Sequence, residues 1–297
     1  MKKRTTLFLC LALLAALFGC RPQTEGTRAP AHAAVFTNLT GQRERQTLRT
    51  LLQNAAVGDE RIDALFNEID AFNASVPAPM LTDGWEPVGA AKYDPYEMQE
   101  RYTERNPTFV GYNCRLTAFS ILADRIAANG QAKPASASLF MDEEALDENS
   151  SAAPSEADRT KFMLLFAELP TEPTTRTEDH VKAVRAAWKE RGIAFDANAK
   201  AHLITVVFHD QPSETENELF FGHAGVLLEE DGALYFFEKL AFMEPYCLTR
   251  FSDRTSLCDY LMQKYDVSFN QPTAAPFVME DDALLAGYRP NPHKAEA

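Results

Sequence analysis

The chain has 297 residues, 45% of them hydrophobic, which is enough to bury a substantial core in one large domain. Its formal net charge is −14, with 43 acidic against 29 basic side chains, and an excess of that sign argues against nucleic acid and anionic polymers as charge-driven partners. Solubility is the simpler consequence of the same charge.

The first residues, MKKRTTLFLCLALLAALFGC, join a basic start at Lys2, Lys3 and Arg4 to an apolar run over 7–18. That run is too short to cross about 30 Å of hydrocarbon, so it reads as an export leader over 1–19 rather than a membrane span. The ending Leu17-Phe18-Gly19-Cys20 resembles a bacterial lipobox. The resemblance implies a lipidated Cys20, attachment to the membrane through its acyl chains, and an extracytoplasmic location. An ordinary signal peptide cut near Cys20 is the alternative. Residues 20–35 are polar and small and read as a flexible stalk, followed by a single domain over 36–280 and a tail over 281–297.

Helical periodicity predicts helices over 43–54 and 59–73, the second with Ile62, Leu65, Phe66, Ile69 and Phe72 on one face. Pro77, Pro79, Gly84 and Pro87 mark a loop over 76–88, and a short helix near 95–105 ends before Asn106-Pro107. Leu116, Phe119, Leu122 and Ile126 share a face and predict a helix over 113–129, closed by Asn129-Gly130. The segment 141–158, MDEEALDENSSAAPSEAD, is acidic and small and reads as a solvated loop. Helices over 156–169 and 177–191 follow, the latter capped by Thr177 and stopped by Gly192.

Beyond Gly192 the period changes. β-branched and aromatic runs predict strands over 203–208, 219–228 and 234–240, and the Asp231-Gly232 pair between the last two is a strong hairpin signal. A helix over 256–265 and an irregular, proline-bearing end complete the chain. Helices first and an antiparallel sheet afterwards argue an α+β fold.

Five cysteines sort by position. Cys10 lies in the leader and Cys20 is the lipid site, which leaves Cys114, Cys247 and Cys258. Three cannot all pair within one chain, so at least one is free. Cys247 and Cys258 are close enough in sequence to bridge, or are simply small buried apolar residues. Cys114 is the candidate for the leftover thiol. In GYNCRLTAFS, Asn113 is placed as a helix N-cap whose side-chain oxygen accepts from the N–H of Leu116. Cys114 then takes the first helical position, where unpaired N–H groups and the positive end of the dipole favour thiolate, and Arg115 adds a positive charge.

A thiolate nucleophile generally works with a base, and the chain offers six histidines. His32 falls in the stalk, His293 in the tail, His180 in a helix, and His202 and His209 at strand ends. His223, in Phe221-Gly222-His223-Ala224-Gly225, lies inside an apolar strand between small residues that admit a neighbouring group. A histidine so placed is often only structural. If Asp231-Gly232 form a two-residue loop, Gly225 faces Glu238, and His223 and Glu238 become diagonal neighbours about 7–8 Å apart on one face. A four-residue loop sets them opposite one another, and a three-residue loop puts them on different faces. Glu238 is an expensive carboxylate in an apolar strand unless an imidazole, or a lysine or arginine at a strand end, pairs with it.

A cysteine at a helix N-terminus, a histidine on a later strand and a polar residue on the next antiparallel strand is an order similar to that of papain-like folds. The segment GHAGVLLEEDGALYFFE resembles the Gly-His-x-Gly strand and hairpin of NlpC-type peptidases and amidases. That resemblance implies Cys114 as nucleophile, His223 as base and Glu238 as the residue that orients the ring. The usual Asp-Cys-Ser-Gly is Asn113-Cys114-Arg115-Leu116 here, and the long separation of cysteine and histidine implies an inserted helical segment. Oxyanion stabilisation would use the N–H of Cys114 and one side chain among Tyr112, Asn113 and Gln99, packing being the plainer role for Tyr112. Gly-Tyr-Asn-Cys-Arg together with Phe-Gly-His-Ala-Gly resembles the bacterial lipoproteins of domain of unknown function 4300, a likeness that brings no activity with it.

No His-Glu-x-x-His, Cys-x-x-Cys pair, glycine-rich phosphate loop or calcium loop is present, so no metal or cofactor is expected. The sequence therefore leads to a lipid-anchored cysteine hydrolase or acyltransferase that acts, through a thioester, on amide bonds of cell-wall peptides or proteins. Two other readings stand beside it. One is a binding or interaction lipoprotein of the cell surface without turnover; the other is a disulfide-stabilised solute binder, which fails if Cys114 is a free thiol.

Overall fold

The strands that follow Gly192 are apolar on both sides, and a sheet of that kind must be covered on both faces. The computed structural model describes residues 34–91, 93–130, 136–213, 215–268 and 271–294. The leader, Cys20 and His32 lie outside the described residues. From the N-terminus the elements are β1 (Val35–Thr37), α1 (Gln42–Asn54), α2 (Asp59–Ser75), β2 (Glu86–Pro87), α3 (Pro95–Arg105), α4 (Cys114–Leu122), β3 (Ile126–Ala128) and α5 (Phe140–Glu148). Next come α6 (Glu156–Phe166), β4 (Leu169–Pro170), α7 (Thr177–Glu190), β5 (Ile193–Phe195), β6 (Ala201–Ser213) and β7 (Glu216–Glu230). The chain closes with β8 (Ala233–Lys239), β9 (Tyr246–Phe251), α8 (Arg254–Tyr265), β10 (Phe277–Glu280) and β11 (Ala283–Leu284).

One large sheet runs in the order β11-β10-β6-β7-β8-β9-β1-β2, with β4 also paired to β7; β3 and β5 form a separate ribbon. Its strand pairs are antiparallel, as for β6 with β7 and β7 with β8. Alternation along β7 sends Ala224, Val226 and Leu228 into the core made with the N-terminal helices, where they join Leu116, Phe119 and Trp188. Leu227 points the other way, to Phe236 on β8 and to Leu257 and Leu261 on α8. The result is three layers: helices, sheet, and α8.

Asp231 and Gly232 both have positive φ, 49° and 77°, the pairing of conformations that a two-residue hairpin turn needs. Glu230 consequently pairs with Ala233 and Gly225 with Glu238, the register of the two-residue loop.

Four sequence expectations change. The helix predicted over 113–129 ends at Leu122, because Ile126–Ala128 leaves it to pair with Ile193–Phe195, and Asn129-Gly130 packs against Arg191 and Gly192 rather than closing a helix. The acidic stretch over 141–158 is not a solvated loop. It contains α5, with Asp142, Ala145 and Leu146 buried, and Asp142 and Glu143 in its first turn, where acids favour a helix. Residues 281–294 are no loose tail: Asp281 accepts from the Leu203 N–H, Leu285 is buried and Arg289 pairs with Asp259. Val35, assigned to the stalk, already pairs with Arg250.

Gly225 sits where the hairpin is tightest. A Cβ there would lie 2.4 Å from the Phe236 ring and 2.9 Å from the Phe237 carbonyl, and the backbone side of that contact cannot rotate away. Gly225→Ala is expected to destabilise the fold by roughly 1–3 kcal/mol, seen as a lower urea midpoint at unchanged slope; an unchanged midpoint contradicts it.

Candidate active site

Asn113 ends the extended lead into α4, and its Oδ1 accepts from the N–H of Leu116 at 3.0 Å. Cys114 is therefore the first helical residue, as the cap predicts. A helix leaves its first N–H groups without internal partners, and those of Cys114 and Arg115 find no acceptor among the described residues. The thiol thus sits at the positive end of the helix.

Helix α4 occupies a break in the sheet. On the edge opposite β6, β7 pairs with β8 from Gly225 to Glu230 and with β4 at Glu218 and Leu219. Between these, residues 220–224 have no strand on that side among the described residues. Arg115 supplies what a strand would: its Nη1 donates to the Phe221 carbonyl at 2.9 Å. The start of α4 is tied there directly.

A β-bulge separates the histidine from the aromatic residue before it. Val206 pairs with His223 and Val207 with Phe221, so Gly222 is an extra residue on β7. Without it Phe221 and His223, two apart, would share a face. With it Phe221 stacks on Trp188 among the helices, while the His223 ring lies against Tyr265 of α8, at 5.0 Å between centroids, and edge-on to Phe236. A side chain at Gly222 would meet the Phe208 ring at 2.5 Å, which keeps the bulge small.

Glu238 stands on the same face. His223 Nε2 and Glu238 Oε2 are 2.5 Å apart, so Nε2–H donates to the carboxylate and Nδ1 is left for the thiol. Tyr260 donates to the other carboxylate oxygen, Oε1, at 2.6 Å. Cys114 is 6% exposed, His223 1% and Glu238 0%, so these charges interact with little screening by water.

Their ionisation follows from that burial. Desolvation pushes the Cys114 thiol up, but the charge of His223 and a hydrogen bond to it bring the group below its ordinary value. For His223, desolvation works against the proton, and Cys114 and Glu238 together overcome it and raise the imidazole to about 9. Desolvation also opposes ionised Glu238; the hydrogen bond and charge of His223, then Lys264 and Tyr260, hold it below the usual carboxylate range. The three shifts run in the direction of thiolate, imidazolium and carboxylate. Tyr265 on one side of the sheet and Lys239 on the other both feel the Cys114 charge.

The neighbours are mostly spoken for. Arg115 binds Asp142 through Nε at 3.1 Å and Nη2 at 2.5 Å, and Asn113 Nδ2 donates to the same carboxylate at 2.8 Å. Asp142 thereby offsets much of the positive charge that Arg115 was expected to lend the thiol. Asn113 is engaged at both ends of its amide, with its Oδ1 accepting from Leu116 and one Nδ2 proton going to Asp142, which leaves one amide proton uncommitted. Tyr112 is removed as an oxyanion donor: its hydroxyl bonds the Asn149 carbonyl and Ser151 and accepts from the Ala152 N–H. Gln99 lies half-buried on α3 and makes no hydrogen bond among the described residues. Cys247 and Cys258 are free thiols rather than a bridge. Asn38 donates to Cys247, Cys258 donates to the Arg289 carbonyl, and burial raises both pKa values, so neither shares the character of Cys114.

Asp142, Tyr260 and Tyr265 escape the sequence reading. Asp142 is hidden in an acidic run, and its one distinguishing signal was a helical spacing with Ala145 and Leu146. The tyrosines sit on a helix whose apolar face explains them equally well. Among the described residues no group of three or more His, Cys, Asp or Glu is arranged to hold a metal, and no helix is long and apolar enough to cross a membrane. A surface cleft of about 520 Å³ lined by Ser75, Tyr93, Glu97, Arg101 and Arg105 includes none of the three central residues.

Removing one partner of a buried ion pair strands the other. The Asp142 side chain is 0% exposed and that of Arg115 13%, so Asp142→Ala is expected to cost roughly 3–5 kcal/mol by urea denaturation. Replacing both by apolar residues should cost less than the single change; a harmless Asp142→Ala would contradict this account.

The chain matches the family model of a domain of unknown function, DUF4300, over residues 35–285. No curated protein and no solved structure matches it. The matched span runs from β1 to the residue after β11 and holds Cys114, His223 and Glu238, and the chain accordingly belongs to the DUF4300 family.

Proposed function

We propose that this protein is a lipid-anchored, extracytoplasmic cysteine hydrolase or acyltransferase of papain-like, NlpC-type architecture, acting on amide bonds of peptides or proteins such as those of the cell wall. One observation carries the reading: a thiol at a helix N-terminus, an imidazole and a carboxylate lie in line, and their mutual effects favour the ionised thiol. Burying three ionisable groups is costly unless they serve one another. The leader and Gly19-Cys20 support export and anchoring.

In this reading the Cys114 sulfur attacks the carbonyl carbon, and the carbonyl electron pair moves onto oxygen near the N–H groups of Cys114 and Arg115. The C–N bond then breaks, and His223 Nδ1 gives its proton to the departing amine. A thioester remains. Water or an acceptor amine attacks it after yielding a proton to His223, and the thiolate leaves. Glu238 and Tyr260 hold the ring through both halves.

A second reading, a surface binding protein that keeps the arrangement without turnover, is favoured by the closure of the site, since Cys114 is only 6% exposed. The two part on reactivity. Iodoacetamide or an activated acyl probe should modify Cys114, and Cys114→Ala should abolish that labelling while circular dichroism stays unchanged. Labelling should rise with pH below the ordinary thiol range of about 8.5, as the lowered Cys114 pKa requires, and change again as His223 loses its proton near 9. His223→Ala should move the first transition upward and remove the second. Cys114 that labels only as an ordinary buried thiol sinks the enzyme reading.

A further inference from the structure

The strand that presents Glu238 carries a second buried charge at the next position. Alternation turns Lys239 to the opposite face of the sheet, where it is 1% exposed. Its ammonium has three protons, and the carbonyls of the following turn take them all: Ala241 at 2.9 Å, Phe242 at 3.1 Å, and Glu244. The Phe72 ring lies 3.8 Å from the nitrogen and the Tyr246 ring 5.0 Å, both in position for cation–π attraction. Lys239 thus clamps the turn between β8 and β9 from inside.

That turn is the wall along which the nucleophile's lead runs. Gly111 opens the Gly-Tyr-Asn-Cys run with φ of 85°, and a Cβ on it would fall 2.7 Å from the Phe242 carbonyl and 2.8 Å from the Tyr102 hydroxyl. Backbone meets backbone there with no room for a side chain. A shift of the turn is therefore a shift of residues 111–113, and Asn113 is the cap that sets Cys114.

We propose that Lys239 is a positioning residue for Cys114: it fixes the turn over 241–244, the turn fixes Gly111, and the lead from Gly111 delivers the thiol to His223. The inference rests on the reading of Cys114 as nucleophile. Charge works in the same direction as geometry. Burial lowers Lys239 to about 7, while Glu244, Cys247, Cys114 and Glu68 around it favour the ammonium, and a cation there in turn favours the Cys114 thiolate. Methionine at 239 would keep the apolar stem while losing both the clamp and the charge.

The test uses the full chain and two readings of one preparation: the pH midpoint of Cys114 alkylation by iodoacetamide, located by mass spectrometry with Cys258 as reference, and amide exchange over 111–117 relative to β6. Lys239→Met is expected to raise exchange over 111–117 selectively and to slow Cys114 labelling at pH 7 about tenfold, one unit of thiol pKa, with Cys258 unaffected. A folded Lys239→Met protein that matches the wild type in both readings overturns the proposal. If that variant does not fold, Gly111→Ala, which presses on the Phe242 carbonyl with the lysine intact, is expected to slow labelling similarly, and wild-type labelling there overturns it. A wild-type Cys114 with an ordinary thiol midpoint that His223→Ala does not move is a separate failure: it removes the nucleophile, while exchange over 111–117 still reads the clamp.

Discussion

Every buried carbonyl on a strand needs a donor, and between Leu219 and Gly225 no neighbouring strand among the described residues offers one to the outer edge of β7. The rest of the site depends on how that need is met. Arg115 reaches the Phe221 carbonyl from the first turn of α4, so the helix N-terminus is drawn into the break. The residue before that arginine is Cys114, and the residue two beyond that carbonyl is His223. A single side chain that completes a sheet thereby brings thiol and imidazole together from opposite layers.

The same arginine explains why an acidic segment far along the chain is ordered. A guanidinium at the sheet break would be an unpaired buried charge without Asp142, and Asp142 is also the acceptor that holds the capping amide of Asn113. Charges elsewhere in the site follow this pattern. Glu238 is tolerated because His223 and Tyr260 satisfy both of its oxygens, and Lys239 because three carbonyls surround it. Each group has partners that offset part of the cost of burying its charge, a condition that holds wherever charge is buried.

Closure has its own logic. The imidazole is stacked on Tyr265 and bordered by Phe236, surroundings that exclude water and strengthen every remaining electrostatic contact. They fix the ring so that one nitrogen meets the carboxylate and the other the thiol. Rigidity of this kind follows from α8 packing on the sheet face opposite the N-terminal helices, so the last helix of the fold is as much a part of the site as the first strand of the hairpin.

By itself the sequence determined what short-range chemistry controls. Asp231-Gly232 determined the hairpin register and hence the placement of Glu238 opposite Gly225, because few residues adopt the backbone such a turn requires. Asn113 determined the start of α4, because its side chain accepts from the N–H of Leu116 in the helix's first turn. Only the tertiary structure decided the end of that helix, where pairing of β3 with β5 overrides helical periodicity, and the order of the acidic segment, whose partner is Arg115, 27 positions away. It alone decided the direction of Phe221, since the bulge at Gly222 turns that ring to the face opposite His223, where alternation would have put the two together. It decided too that the Tyr112 hydroxyl has no hydrogen-bonding capacity left for a substrate. Turns and caps are settled among near neighbours along the chain; buried charges and interrupted strands are settled by whatever the fold brings beside them, and the residues themselves do not name those partners.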